Sequence, residues 1–100
     1  MIVYQVTVQV DREREDEWFI WMRDIHIGHV LATGFFSRAD FERVTGQEGP
    51  SASYQIRYYA ESMNHYQQYA EKAAAPLQKD HAQRFGTSVS ASRLVLEAIG

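Results

Sequence analysis

The sequence predicts one α+β domain of the β-α-β-β-α-β kind, with two helical segments on one face of a four-stranded antiparallel sheet. Three observations predict this fold. Apolar and polar residues alternate over four short segments, which is the pattern of half-buried strands. Two longer segments carry apolar residues at helical spacing. Right-handed crossovers then place both helices on the same face of the sheet.

The first strand and helix have the clearest patterns. A strand is predicted over 1–10, where one face carries Ile2, Tyr4, Val6, Val8 and Val10. Asp11 follows at a position suited to capping a helix N-terminus. The helix is expected to bury a stripe formed by Trp18, Trp21, Met22 and Ile25. Gly28 is expected to kink or break this helix, and Gly34 to end it.

A second pair of strands follows as a hairpin. The pattern predicts strands over 35–44 and 53–60, and the glycines and proline between them predict the loop. In the second of these strands, the face directed to the core carries Tyr54, Ile56 and Tyr58.

Another helix and strand complete the order. Ser62 is a suitable N-cap, and a buried stripe follows at Tyr66, Tyr69, Ala70, Ala73, Leu77, His81 and Phe85. Pro76 lacks a backbone N–H, so it predicts a kink or the start of a new helix nearby. The last strand is predicted over 88–99.

The helices leave one face of the sheet uncovered. We expect it to be half polar, with Val3, Gln5, Thr7, Gln55, Arg57, Tyr59, Arg93 and Val95. Such a face can lie in water, or two subunits can join these faces and enclose a polar cavity. Two arginines on one face would suit an anionic ligand, although they can equally pair with Asp40 or Glu42.

Composition excludes several classes of function. The net charge is −3 with no basic stripe, so nucleic-acid binding is not expected. The chain has no cysteine, which excludes disulfides, thiol catalysis and cysteine-bound metals. No apolar run approaches the roughly 20 residues of a membrane helix. We therefore expect a cytoplasmic protein without a membrane segment.

Several stretches resemble one protein family over most of the chain. They are MIVYQVTVQVD, EWFIWMRDIHIGHVLATGFFS, YQIRYYAES and YQQYAEKAAAPLQKDHAQRFG. The most specific part is WxxWMxxxHI followed by ATGxFS, and the family that these stretches resemble is DUF4286. The resemblance implies a ferredoxin-like domain of the dimeric α/β-barrel superfamily. That superfamily includes cofactor-free monooxygenases, haem-degrading enzymes, muconolactone-isomerase-like proteins and ligand-binding modules, and the family itself brings no established activity.

His26 is the candidate catalytic residue. It lies four residues after Met22, beside the apolar stripe, where a neutral imidazole can act as a general base or hold a ligand. The alternative is a half-buried histidine bonded to a backbone carbonyl. A metal site with His29 lacks a third ligand, so neither a metal nor a cofactor is predicted.

Aromatic and basic residues supply candidate ligand contacts. These are Tyr58, Arg57, Trp18 and Tyr66, although helical and strand spacing explains the aromatic ones equally well as core. Three hypotheses follow. The first is a homodimeric domain that binds a small molecule. The others are a cofactor-free oxygenase or isomerase acting on an activated aromatic or enol substrate, and a purely structural dimer.

Overall fold

The computed structural model describes residues 1–100 and confirms the β-α-β-β-α-β order. The strands are β1 (Ile2–Asp11), β2 (Arg38–Arg43), β3 (Ser51–Ala60) and β4 (Val89–Glu97). The first helical segment consists of α1 (Glu15–Trp21), a π-helical turn (Met22–His26) and α2 (Ile27–Ala32). The second consists of α3 (Met63–Lys72) and α4 (Ala74–Phe85).

The sheet has the order β2-β3-β1-β4, and every neighbouring pair of strands is antiparallel. The helices pack on one face, where the predicted alternation places Tyr4 and Val8 of β1 opposite Tyr58 and Tyr54 of β3. All four side chains are buried. The hydrophobic core therefore lies between this face and the helices. No helix is long and apolar enough to cross a membrane.

The first helical segment differs from the prediction in its middle turn. The π-helical turn at Met22–His26 adds one residue to a turn. The side chain that is buried below Trp21 is therefore that of His26, five residues later, and not that of Ile25, which is 43% exposed. Gly28 does not break the helix, because an interior glycine costs only about 1 kcal/mol.

The predicted cap at Asp11 is also wrong. Asp11 belongs to β1, where it pairs with Ser51, and its side chain makes no capping hydrogen bond. A short 3₁₀ turn, Arg12–Arg14, follows before α1 begins. The strand is one residue longer than the alternation indicates, and this extra residue removes the aspartate from the helix end.

The second helical segment breaks near the predicted place. Ser62 caps α3, since its hydroxyl accepts a hydrogen bond from the His65 backbone N–H. The break lies at Ala73, whose φ of −131° is not helical. Pro76 lies in the first turn of α4, where backbone N–H groups have no partner in the helix. Ala70, which precedes the break, is exposed rather than part of the predicted stripe, and Ala74, which follows it, is buried.

The register of β4 corrects the prediction for Arg93 and Val95. Arg93 pairs with Val6, and Val95 pairs with Tyr4. Cross-strand partners point to the same face, so Arg93 and Val95 lie on the face that carries the helices. Alternation separates the two faces of a strand but does not show which of them faces the helices. The uncovered face carries Leu94 and Leu96 instead.

Candidate functional site

A small cavity lies between the sheet and the helices. Its volume is about 30 Å³, and one water needs about 10–15 Å³ of such space, so it has room for about two waters. The sheet lines it with Tyr4, Val6, Val8, Ile56, Tyr58 and Arg93. The helices line it with Met22, His26, Val30, Tyr69, Leu77, Gln78 and His81.

Two histidines and a tryptophan form a stacked cluster beside the cavity. The Trp21 ring lies 4.7 Å from the His26 ring and 5.7 Å from the His81 ring, measured between centroids. The two histidine rings are 5.7 Å apart. The π-helical turn creates this arrangement, because it places His26 under Trp21 at a spacing of five residues.

A hydrogen bond from Trp18 fixes the tautomer of His81. The Trp18 Nε1–H group donates to His81 Nε2 over 2.9 Å. Indole nitrogen only donates, so Nε2 must carry a lone pair. In a neutral imidazole the proton then resides on Nδ1. His81 therefore offers an N–H donor from a side chain that lines the cavity.

Burial keeps both histidines neutral. The pKa of His26 is lowered to about 4, chiefly by loss of hydration and next by the nearby His81, while Asp80 opposes the change. Burial also lowers the pKa of His81, followed by the charge of Arg93. His26 Nδ1 is buried without a hydrogen-bond partner. The alternative of a histidine bonded to a backbone carbonyl through this atom is therefore wrong.

Buried phenols form the other end of the cavity. Tyr58 and Tyr69 both line it, and burial raises the pKa of each above its usual range. They remain protonated at neutral pH. Tyr4 lies between them, with ring centroids 5.9 Å from Tyr58 and 5.6 Å from Tyr69. Its hydroxyl contacts Gln78 Nε2 at 3.5 Å.

Arg93 is an unusual arginine in this chain. Of eight arginines, six form ion pairs with carboxylates. Arg84 lies over the Trp21 ring at 5.2 Å. Arg93 has neither kind of partner, and it is the only exposed residue in the lining of the cavity. The cavity therefore meets solvent beside an unpaired guanidinium.

The predicted site residues separate into two groups. His26 and Tyr58 line the cavity. Trp18 lies behind it, bonded to His81. Tyr66 packs on Tyr4, with ring centroids 5.3 Å apart, but does not line the cavity. Arg57 lies on the uncovered face of the sheet, where it binds Glu42 at 2.9 Å.

Two lining residues were missed as ligand contacts. The sequence pattern places His81 in the core stripe. Its hydrogen bond with Trp18 depends on a contact between residues distant in sequence, which the pattern does not show. Arg93 was assigned to the wrong face, since nothing in the sequence fixes the register of β4. His29 is exposed while His26 is buried, and no group of three or more His, Cys, Asp or Glu residues is arranged to hold a metal ion.

Solved structures share this fold at low sequence identity. An EthD family protein from Bacillus halodurans is 14% identical, with a TM-score of 0.75, covering 99% of this chain and 100% of that one. SnoaB from Streptomyces nogalater, a cofactor-independent oxygenase, is 12% identical with a TM-score of 0.67, covering 97% and 92%. A dimeric ferredoxin-like protein from an uncultured marine organism is 12% identical with a TM-score of 0.66, covering 100% and 96%.

These similarities show the fold alone. A search of curated proteins finds no significant match. The model of the domain of unknown function DUF4286 matches residues 1–99. The family that the motifs indicated is thus confirmed over almost the whole chain, and the protein belongs to the DUF4286 family.

Proposed function

We propose that this protein is a homodimeric domain that binds a small molecule in the cavity between sheet and helices. The observation that carries the proposal is the buried His26 Nδ1, which has no hydrogen-bond partner although its side chain lines the cavity. An unpartnered buried polar atom costs about 1–3 kcal/mol, and such atoms are rare in native structures. A ligand group would remove this cost.

The size of the cavity limits what can enter without movement. A volume of about 30 Å³ is well below the roughly 300–1,000 Å³ of pockets for drug-sized ligands. The least buried lining residues are Val6, Leu77, Gln78 and Arg93. Rotation of Gln78 and Arg93 would widen the cavity without moving the backbone. The proposal is therefore a small ligand that enters beside β4.

Native mass spectrometry of freshly purified protein tests the proposal. We expect a bound small molecule that is lost on denaturation. The chain has two tryptophans, and both lie beside His81, so their indole NMR signals should shift when fragments are added. His26→Leu should weaken these shifts, whereas the control Arg57→Gln should not. No retained molecule and no indole shift with any small fragment would contradict the proposal.

The homodimer has separate support. Leu94 is 58% exposed and Leu96 is 41% exposed, and both lie on the face of the sheet that no helix covers. Exposed apolar patches mark contact surfaces. Leu94→Lys should lower the mass measured by light scattering to that of a monomer. Ile20→Lys, at an equally exposed site on α1, is the control and should leave the mass unchanged.

A cofactor-free oxygenase is the second candidate. The shared fold with SnoaB favours it, and a neutral His26 in the cavity is a possible base. A general base works best when its pKa lies near the working pH, and a pKa of about 4 makes His26 a weak base at pH 7. Oxygen uptake with an enolisable aromatic ketone, abolished in His26→Ala, would place this candidate first.

A further inference from the structure

We infer that the cavity selects a small organic anion, one of whose charged oxygens is bound by the guanidinium of Arg93 and the other by the Nδ1–H of His81. The inference rests on the proposed function and names the chemical class of its ligand. The anion would carry an oxygen at the end near β4 and an apolar body at the other end.

The first step is the charge of Arg93. This guanidinium lines the cavity without a carboxylate partner or an aromatic ring beneath it. A planar guanidinium binds carboxylate oxygens through two parallel N–H bonds, and these charge-assisted bonds are about twice as strong as neutral ones. Asp80 is the only carboxylate whose charge acts on the histidine pair, and it forms no ion pair with Arg93. The guanidinium of Arg93 is therefore available to bind an anion in the cavity.

The second step is the fixed donor on His81. Because Trp18 holds Nε2 as an acceptor, the Nδ1 atom can only donate while the ring is neutral. An ionised oxygen accepts hydrogen bonds and donates none. A carboxamide of the same shape can turn its oxygen to only one of the two donors. Its NH₂ group then faces the other, and this mismatch rejects the neutral analogue.

The third step is the apolar remainder of the lining. Val30 and Ile56 are almost fully buried, and Leu77 is partly buried beside them. These side chains offer no hydrogen bond, so they suit the hydrocarbon part of the ligand. An inorganic anion would leave this part of the cavity unfilled. The combination selects an organic acid.

Matched pairs of acids and amides test the inference. Acetate against acetamide, and benzoate against benzamide, are titrated into the full chain at pH 7.5, and the two indole NMR signals are followed. We expect each acid to bind at least about tenfold more tightly than its amide, the ratio that a charge-assisted bond supports. Arg93→Gln should abolish this preference. Arg57→Gln removes an arginine from the other face and should retain it.

The outcomes separate the inference from the proposed function. Equal affinity for acid and amide, or an unchanged preference in Arg93→Gln, overturns the inference and leaves the ligand-binding cavity in place. Absence of binding by all four probes overturns both. Long-range ¹H–¹⁵N spectra of the imidazoles give an independent test. A His81 proton on Nε2 rather than Nδ1 would also overturn the inference.

Discussion

Acidification should destabilise this fold through His26, and the size of the effect follows from its burial. The unfolded chain takes up a proton at this histidine near pH 6.5, whereas the folded protein resists until about pH 4. Between these values the unfolded state binds more protons, so stability falls as the pH falls. The difference between the two pKa values corresponds to about 3 kcal/mol in the free energy of unfolding, which is lost as the pH falls from 6.5 to 4.

The charged and titratable groups around His26 determine how closely the measured loss of stability matches the calculated one. His81, His29 and Arg93 add positive charge or the capacity for it, and they lower the pKa of His26. Asp80 acts in the opposite direction. The pKa of His81 is also lowered, so its protonation adds to the same loss of stability. The wild-type protein should therefore lose at least the amount calculated for His26 alone.

Urea unfolding at several pH values between 4 and 7.5, followed by tryptophan fluorescence, measures the effect. Between pH 6.5 and pH 4, the free energy of unfolding of the wild type should fall by about 1.4 kcal/mol more per pH unit than that of His26→Leu. Taking the difference between the two proteins removes the contribution of surface carboxylates. His29→Gln, at an exposed position, is the control: the charge of His29 acts on His26 less than burial and His81 do, so most of the wild-type slope should remain. Equal slopes in the wild type and His26→Leu would refute the reasoning.

Three further substitutions test single contacts by urea unfolding at pH 7.5. Trp18→Phe removes the donor to His81 Nε2 and should cost about 1–3 kcal/mol; an unchanged midpoint would contradict the bond. Ser62→Ala removes the cap of α3 and should cost about 1 kcal/mol, whereas Ser62→Asp, which can cap, should restore it. Glu42→Gln breaks an exposed pair with Arg57 and should leave the midpoint unchanged; a large shift would show that this pair is buried in an assembly.

Local patterns predicted the fold well. The alternation around Tyr4 and Tyr58 fixed the core face of the two central strands, because these strands are covered by helices and only one register buries their aromatic rings. Ser62 marked the start of α3 through capping chemistry that depends on neighbours close in sequence. Such signals need no knowledge of the tertiary structure.

The candidate site was harder to predict, because two of its features depend on contacts distant in sequence. A π-helical turn has no spacing signal of its own, so the exposure of Ile25 and the burial of His26 were not foreseen. The face of Arg93 depends on pairing with Val6, and β4 is an edge strand whose faces are both accessible. Neither hydrophobicity nor propensity distinguishes the two registers there.

The π-helical turn ties the cavity to the hydrophobic core. Each residue of an α-helix advances by about 100°, so closing Met22–His26 to an α-helical turn without shortening the chain would rotate α2 by about that angle relative to α1. His26 would leave the cavity, and Val30, now 1% exposed, would turn away from the core. Since the one extra residue sets both positions, a deletion in this turn should keep the histidine in the cavity and Val30 in the core only if the shortened turn becomes α-helical.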